Sequence, residues 1–210
     1  MPQRIHVFGA SGSGTTTLGT VVASALGARF LDTDAYYWVA TDPPFTTKRD
    51  PAERIAAIER DIAGQDDWVL AGSLCSWGDP LVPRFTLAVF LVLDPEARMA
   101  RLIEREHARY GRRILPGGDM HVQHVAFVDW ARSYDHVRAP VRSLDLHERW
   151  MTRLPCPVLR LDASRPVEAL SEAVVAHARG GHARAAPGDA VSPRHEGGPT
   201  TPGGQPPGGR

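Results

Sequence analysis

Short apolar runs alternate with stretches of helical period along the first 179 residues. Ile5–Phe8 is a short, mostly apolar run that leads into a glycine-rich turn, and it reads as a strand. After the turn, Leu18, Val21, Val22, Ala25 and Leu26 fall on one helical face, and Gly27 stops the helix. Phe30–Leu31 is a second, brief strand ending at Asp32-Thr33-Asp34. Asp50-Pro51-Ala52-Glu53 is a helix start: an Asp N-cap, Pro at the first helical position, and Glu placed to close a capping box. Ile55, Ile58 and Ile62 supply the buried stripe and Gly64 ends it. Trp68–Ala71 reads as a third strand. Leu87–Leu93 is apolar throughout, as in a strand covered on both faces. Asp94-Pro95 caps a further helix, and another helical stretch follows Gly117-Gly118-Asp119. Pro157–Leu161 is the last strand and Pro166–Ala178 the last helix. Strands alternating with helices predict an α/β fold with a parallel sheet.

The pattern fades near residue 180. From Gly180 to Arg210, 15 of 31 residues are Gly or Pro, and no hydrophobic period survives. Such a segment buries too little to offset its ordering entropy. The expectation is one folded domain over residues 1–179 and a disordered tail over 180–210.

Charge narrows the function. Lys+Arg and Asp+Glu are 24 each. A protein that coats nucleic acid or an anionic membrane is normally basic, so strong direct nucleic-acid binding is not expected. Lys48 is the only lysine, and Arg supplies every other fixed positive side chain. Cys75 and Cys156 are too few for a disulfide scaffold and lack metal-type spacing, so they read as small buried thiols in a reducing cytosol. The opening segment shows no signal-peptide pattern, and no stretch reaches the roughly 18 apolar residues of a membrane span. A soluble, cytoplasmic protein is expected.

The informative segment is Gly9-Ala10-Ser11-Gly12-Ser13-Gly14-Thr15-Thr16-Thr17. It lies between a predicted strand and a predicted helix. Gly9, Gly12 and Gly14 let the chain turn tightly and bring backbone N–H groups against phosphate oxygens, and the helix N-terminus adds partial positive charge. The spacing G-x4-G-x-T matches the phosphate loop, with Thr16 at the position whose hydroxyl binds Mg²⁺. Thr15 stands where that pattern has Lys. The competing reading is a glycine-rich turn without a ligand.

Over most of residues 4–178 the chain resembles the compact P-loop kinases of small molecules, a group that includes adenylate, shikimate and gluconate kinases. Phosphoribulokinases carry a similar loop with a hydroxyl residue in the Lys position. Within the group the DNA topology modulation-type proteins are nearest, through Leu31-Asp32, Asp34, Tyr37-Trp38 and Trp68-Val69-Leu70-Ala71-Gly72-Ser73. The resemblance implies a three-layer P-loop NTPase fold, a five-stranded parallel sheet in the order 2-3-1-4-5, and a short Arg-rich lid. It implies Mg²⁺-dependent phosphoryl transfer from ATP to a small acceptor: a nucleotide, a sugar acid or a hydroxy acid.

Asp32 and Asp34 end the second strand, which in such folds faces the phosphate loop. Two carboxylates there can divide labour, Asp32 near Mg²⁺ and Asp34 on the acceptor hydroxyl. Shikimate kinases use a similar Asp-x-Asp. An exposed Asp turn is the plainer account. Asp94 precedes Pro95, so a helix cap explains it better than a metal ligand. Gly72 can admit a substrate close to the backbone, with Ser73 beside it, or can be an ordinary turn glycine. Arg101, Arg105 and Arg109 share a helical face, Arg98 precedes them by a turn, and Arg112 and Arg113 follow. Met99, Leu102 and Ile103 take the buried face. The arginines resemble the lid that closes over ATP; they can equally form a solvated face paired with Glu104 and Glu106. Lys48 and Arg49 suit an anionic acceptor or a solvated loop. Tyr37 can stack on an acceptor or fill the core. His121 and His124 lack a third ligand, so zinc is rejected. An Arg of the lid, or Lys48, can replace the charge missing at Thr15. The other functional reading is an ATP-binding regulator that transfers no phosphate.

Overall fold

The computed structural model of the protein describes residues 2–180. Met1 and residues 181–210 lie outside the described residues, and with them nearly all of the predicted tail. Five strands form one parallel sheet: β1 (Arg4–Gly9), β2 (Arg29–Asp32), β3 (Trp68–Ala71), β4 (Leu87–Val92) and β5 (Val158–Asp162). Their order is β2-β3-β1-β4-β5, as expected. In the register, Val7 pairs with Ala71 on one side and with Val89 on the other.

The helices are α1 (Thr15–Leu26), α2 (Thr33–Tyr37), α3 (Pro51–Ile62), α4 (Pro95–Tyr110), α5 (His121–Arg132), α6 (Leu144–Met151) and α7 (Val167–Ala178). Successive strand residues face opposite sides of a sheet, and β1 uses both. Ile5 and Val7 enter one core with Leu18, Val22, Leu170 and Val174 of α1 and α7. Phe8 enters the other with Ile58 and Ile62 of α3 and Trp150 of α6. Each such side chain, when fully buried, stabilises by about 1.5–3 kcal/mol. The result is a three-layer α/β domain with one parallel sheet between two layers of helices.

The two Asp caps form as read, without the Glu53 contact of a capping box among the hydrogen bonds of the described residues. Asp50 caps α3 by accepting from Ala52 N, and Asp94 caps α4 by accepting from Glu96 N and Ala97 N. The face of α1 differs. Leu18, Gly19, Val22 and Ala23 are buried, while Val21 is half-buried and Ala25 is exposed. The helix sits so close to the sheet that a Cβ on Gly19 would lie 2.9 Å from Ala71 Cβ.

α2 and α6 had no counterpart in the sequence reading. α2 is a single turn whose N-cap is Asp32. α6 is capped by Ser143, whose Oγ accepts from Leu146 N, and it buries His147 and Trp150. A further correction concerns Arg98, which was grouped with the lid arginines. It is 1 % exposed, donates to Asp135 Oδ2 (2.6 Å) and Ala131 O (3.0 Å), and fixes α4 against the end of α5. Cys75 is buried and Cys156 half-buried, both as free thiols. Among the described residues no helix is long and apolar enough to cross a membrane.

Candidate functional site

A cavity of about 1350 Å³ opens at the carboxyl ends of the strands, where parallel α/β sheets place their ligand crevices. Its wall on the β1 side is the loop from Ala10 to Gly14. Gly12 and Gly14 hold positive φ, 88° and 92°. A Cβ on Gly12 would lie 2.6 Å from Arg98 O, so the loop is pressed against α4. Ser13 donates to Ala10 O from both its amide (3.1 Å) and its hydroxyl (2.8 Å). It builds the loop, so the expectation that its amide meets phosphate is corrected. Gly9 likewise shapes the loop, since its Cβ would meet Leu91 O at 2.7 Å.

The first ladder bond of α1 runs from Leu18 N to Gly14 O. The amides of Thr15, Thr16 and Thr17 therefore have no acceptor within the helix and point out of its positive end. All three residues line the cavity, and so does Ser11. A helix start with free amides facing a cavity can hold an anion.

Thr16 Oγ1 donates to Asp32 Oδ2 at 3.3 Å. Asp32 Oδ1 accepts from Asp34 N at 3.0 Å, which orients the carboxylate toward α1. Among the described residues no cluster of three or more His, Cys, Asp or Glu could hold a metal by itself. A hydroxyl and one carboxylate, completed by phosphate oxygens and water, make a donor set that suits Mg²⁺. His121 and His124 stand apart from it: His121 Nδ1 meets Ile114 O (2.9 Å), and His124 Nδ1 is 3.9 Å from Glu106 Oε2.

Asp34 opens to the cavity yet has protein on most sides. That enclosure raises its pKa, Asp32 raises it further, and Arg142, Arg105 and Arg109 oppose the rise. Arg101, Arg105 and Arg109 all line the cavity from α4. Arg101 donates to Ala163 O (3.1 Å) and Arg105 to Glu106 Oε1 (3.1 Å).

The opposite wall is aromatic and basic. Tyr37 and Trp38 of the α2 end meet Trp77 and Phe45, and Lys48 lies beside them through a bridge with Trp38. Arg54 of α3 is 6 % exposed and stacks on Tyr37, its Cζ 3.9 Å from the ring centroid. Ser73 lines the floor, its Oγ 3.4 Å from Nε2 of buried His147.

No model of a known protein family matches the chain. Uncharacterized protein YqaC of Bacillus subtilis (strain 168) is 44 % identical over 162 residues, 77 % of this chain and 89 % of that protein. The chain belongs to the YqaC family. A cytidylate kinase of Methanocorpusculum labreanum is 31 % identical over 121 residues, 50 % of this chain and 63 % of that protein. Shikimate kinase 2 of Yersinia enterocolitica is 53 % identical over 36 residues, 17 % and 21 % of the two chains. Among solved structures, a gluconokinase from Sinorhizobium meliloti 1021 aligns with a TM-score of 0.49 at 21 % identity, covering 85 % of this chain and 92 % of that one. A shikimate kinase from Acinetobacter baumannii in complex with shikimate aligns with a TM-score of 0.47 at 16 % identity, covering 84 % and 93 %.

In this member of the YqaC family, three of the residues expected at the site stand elsewhere or act otherwise. Arg112 is exposed and does not line the cavity, because the chain turns at Gly111 directly after α4. Arg49 turns inward to Tyr36 O (3.1 Å) and Trp38 O (3.4 Å) and braces its own loop. Gly72 does line the cavity, but its tight neighbour is protein: a Cβ there would lie 1.9 Å from Thr33 Oγ1. Among the cavity residues the sequence did not point to are two arginines, Arg54 and Arg142. Arg54 shares the i, i+4, i+8 line of Ile58 and Ile62, so its burial was legible in principle. Arg142 lies in the irregular stretch after Ala139-Pro140-Val141, where no period or motif marks it.

Proposed function

We propose that this protein is an ATP-dependent phosphotransferase that moves the γ-phosphoryl group of ATP to a hydroxyl of a small acceptor. The supporting observation is the convergence in one cavity of the α1 amides, the Thr16–Asp32 pair and Asp34. The names of two relatives, a cytidylate kinase and shikimate kinase 2, favour the same chemistry. An ATP-using enzyme fits the cytoplasm.

The loop amides of Ser11, Gly12 and Gly14 to Thr17 hold the phosphates. Thr16 and Asp32 would hold Mg²⁺, which when bound offsets charge on the phosphate oxygens. The acceptor hydroxyl oxygen forms the new bond to γ-phosphorus, the bond to the β-phosphate oxygen breaks, and ADP leaves. Asp34 takes the hydroxyl proton, a role its raised proton affinity suits. Arg105 and Arg109 face the developing charge, and Arg101 flanks the nucleotide. Lys48, Tyr37, Ser73 and Arg54 meet the acceptor, whose aromatic and cationic wall favours a small anionic molecule. Nucleotides, sugar acids and hydroxy acids all meet that description.

Thr15 favours a second reading. A neutral hydroxyl in place of the phosphate-loop lysine suits a protein that senses ATP and transfers nothing. One experiment separates the two. The protein is incubated with γ-labelled ATP, Mg²⁺ and a pool of nucleotides, sugar acids and hydroxy acids. Label on a small molecule supports transfer. Tight ATP binding with no transfer supports the sensor, and no ATP binding overturns both.

A further inference from the structure

Arg142 enters the cavity from the segment before α6. One guanidinium NH₂ donates to the carbonyl of Gly9 at 2.7 Å, across 133 positions of sequence. Gly9 is the first residue of the phosphate loop. Ser11 of the same loop shares a small hollow with Arg142, and the Trp130 ring centroid lies 5.6 Å from its Cζ.

A guanidinium carries five N–H donors. This one makes a single hydrogen bond among the described residues, and its Nε is sealed from solvent without a partner. None of the ion pairs among the described residues includes it. The residue is half-buried and lines the cavity, and the protein around it works against its charge. Asp34 is the strongest anionic influence on it, while Arg98 repels it. Holding a guanidinium in such surroundings with one carbonyl is costly. An anionic oxygen is the group that repays this, through short charge-assisted bonds.

Two anions are at hand in the proposed reaction, the nucleotide's terminal phosphate and the acceptor. Lys48 and Arg54 already stand on the aromatic wall where the acceptor is placed. Arg142 is tied to the loop instead. Thr15, in that loop, has no charge to offer. Resting on the ATP site proposed above, we infer that Arg142 receives the terminal phosphate of the nucleotide and supplies, from the segment before α6, the fixed charge that Thr15 lacks.

Calorimetric titration with ATP and with ADP, both with Mg²⁺, tests this on the full chain. The wild type binds ATP more tightly than ADP. Arg142→Gln lowers ATP affinity about tenfold or more, as expected for loss of a hydrogen bond to a charged group, and leaves ADP affinity within about twofold. Adding Thr15→Lys to Arg142→Gln restores most of the ATP preference. Equal losses for ATP and ADP, or no loss for either, overturn the inference. So does an effect of Arg142→Gln confined to the acceptor, read as unchanged ATP affinity with weaker transfer. If Arg142→Gln does not fold, Thr15→Lys alone decides. A gain in ATP preference of about tenfold means the charge was missing and overturns the inference; a gain below about threefold supports it. A wild type that binds neither nucleotide removes the ATP site itself, a result distinct from all of these.

Discussion

Thr16 Oγ1 and Asp32 Oδ2 lie 3.3 Å apart, one on the first turn of α1 and the other at the end of β2. β2 is two strands from β1, and α1 bridges the gap by packing across β3 and β2. The pair is a consequence of the strand order and not of sequence proximity.

Asp32→Asn keeps the cap on Asp34 N and removes the charge. Under the proposed function, ATP affinity with Mg²⁺ falls about ten- to a hundredfold, the scale of losses around metal ligands. ATP affinity in EDTA stays unchanged, and so does the melting temperature, because the site opens to solvent. Equal affinities for wild type and variant in Mg²⁺ contradict the metal role of Asp32.

Arg98 and Asp135 invite a different measurement. The arginine is buried and the aspartate is partly hydrated, with side-chain exposures of 1 % and 22 %. Asp135→Ala leaves a charged guanidinium with Ala131 O and the Tyr134 ring, and is expected to cost about 3–5 kcal/mol. Arg98→Met removes the charge that needs a partner and leaves Asp135 able to hydrate, so it costs less than Asp135→Ala. Urea unfolding of the two variants gives the order, and the reverse order contradicts this account.

These cases divide what the chain reveals from what it hides. Asp50 and Asp94 were legible because an N-cap is a contact within two or three residues. The glycine-rich loop between β1 and α1 was legible because strand, glycines and helix are contiguous. Thr16 and Asp32 were each legible, and their meeting followed once the strand order was granted. Arg98 was misplaced because helical spacing groups residues by face and cannot say which face meets α5. Gly19 was passed over because an apolar stripe counts side chains, while a close helix-to-sheet approach needs their absence. Arg142 joins the loop over 133 positions from an irregular segment, and no local rule reaches that far.

His6 and His147 predict how the fold responds to acid. His6 is fully buried between Phe8 and Phe85, ring centroids 5.0 and 5.1 Å away, with Nδ1 3.0 Å from Leu70 O. Burial pulls its pKa down to about 4. His147, 2.6 Å from the Tyr134 hydroxyl through Nδ1, is pulled down to about 3, by burial first and then by Arg142 and His6. Both are neutral in the folded chain at pH 7. In the unfolded chain each titrates near 6.5. As pH falls below 6.5 the unfolded chain binds protons that the folded chain refuses, so stability rises with pH through this window and is lost as pH drops toward 4. By pH 5 each histidine contributes a loss of about 2 kcal/mol. Urea unfolding at pH 7.5 and pH 5 is expected to show this drop. His6→Phe, which keeps the ring stack, is expected to start less stable for want of the bond to Leu70 O and to lose less on acidification. A stability curve flat from pH 7.5 to 5, or a His6→Phe slope as steep as the wild type, contradicts the assignment of buried neutral histidine to this core.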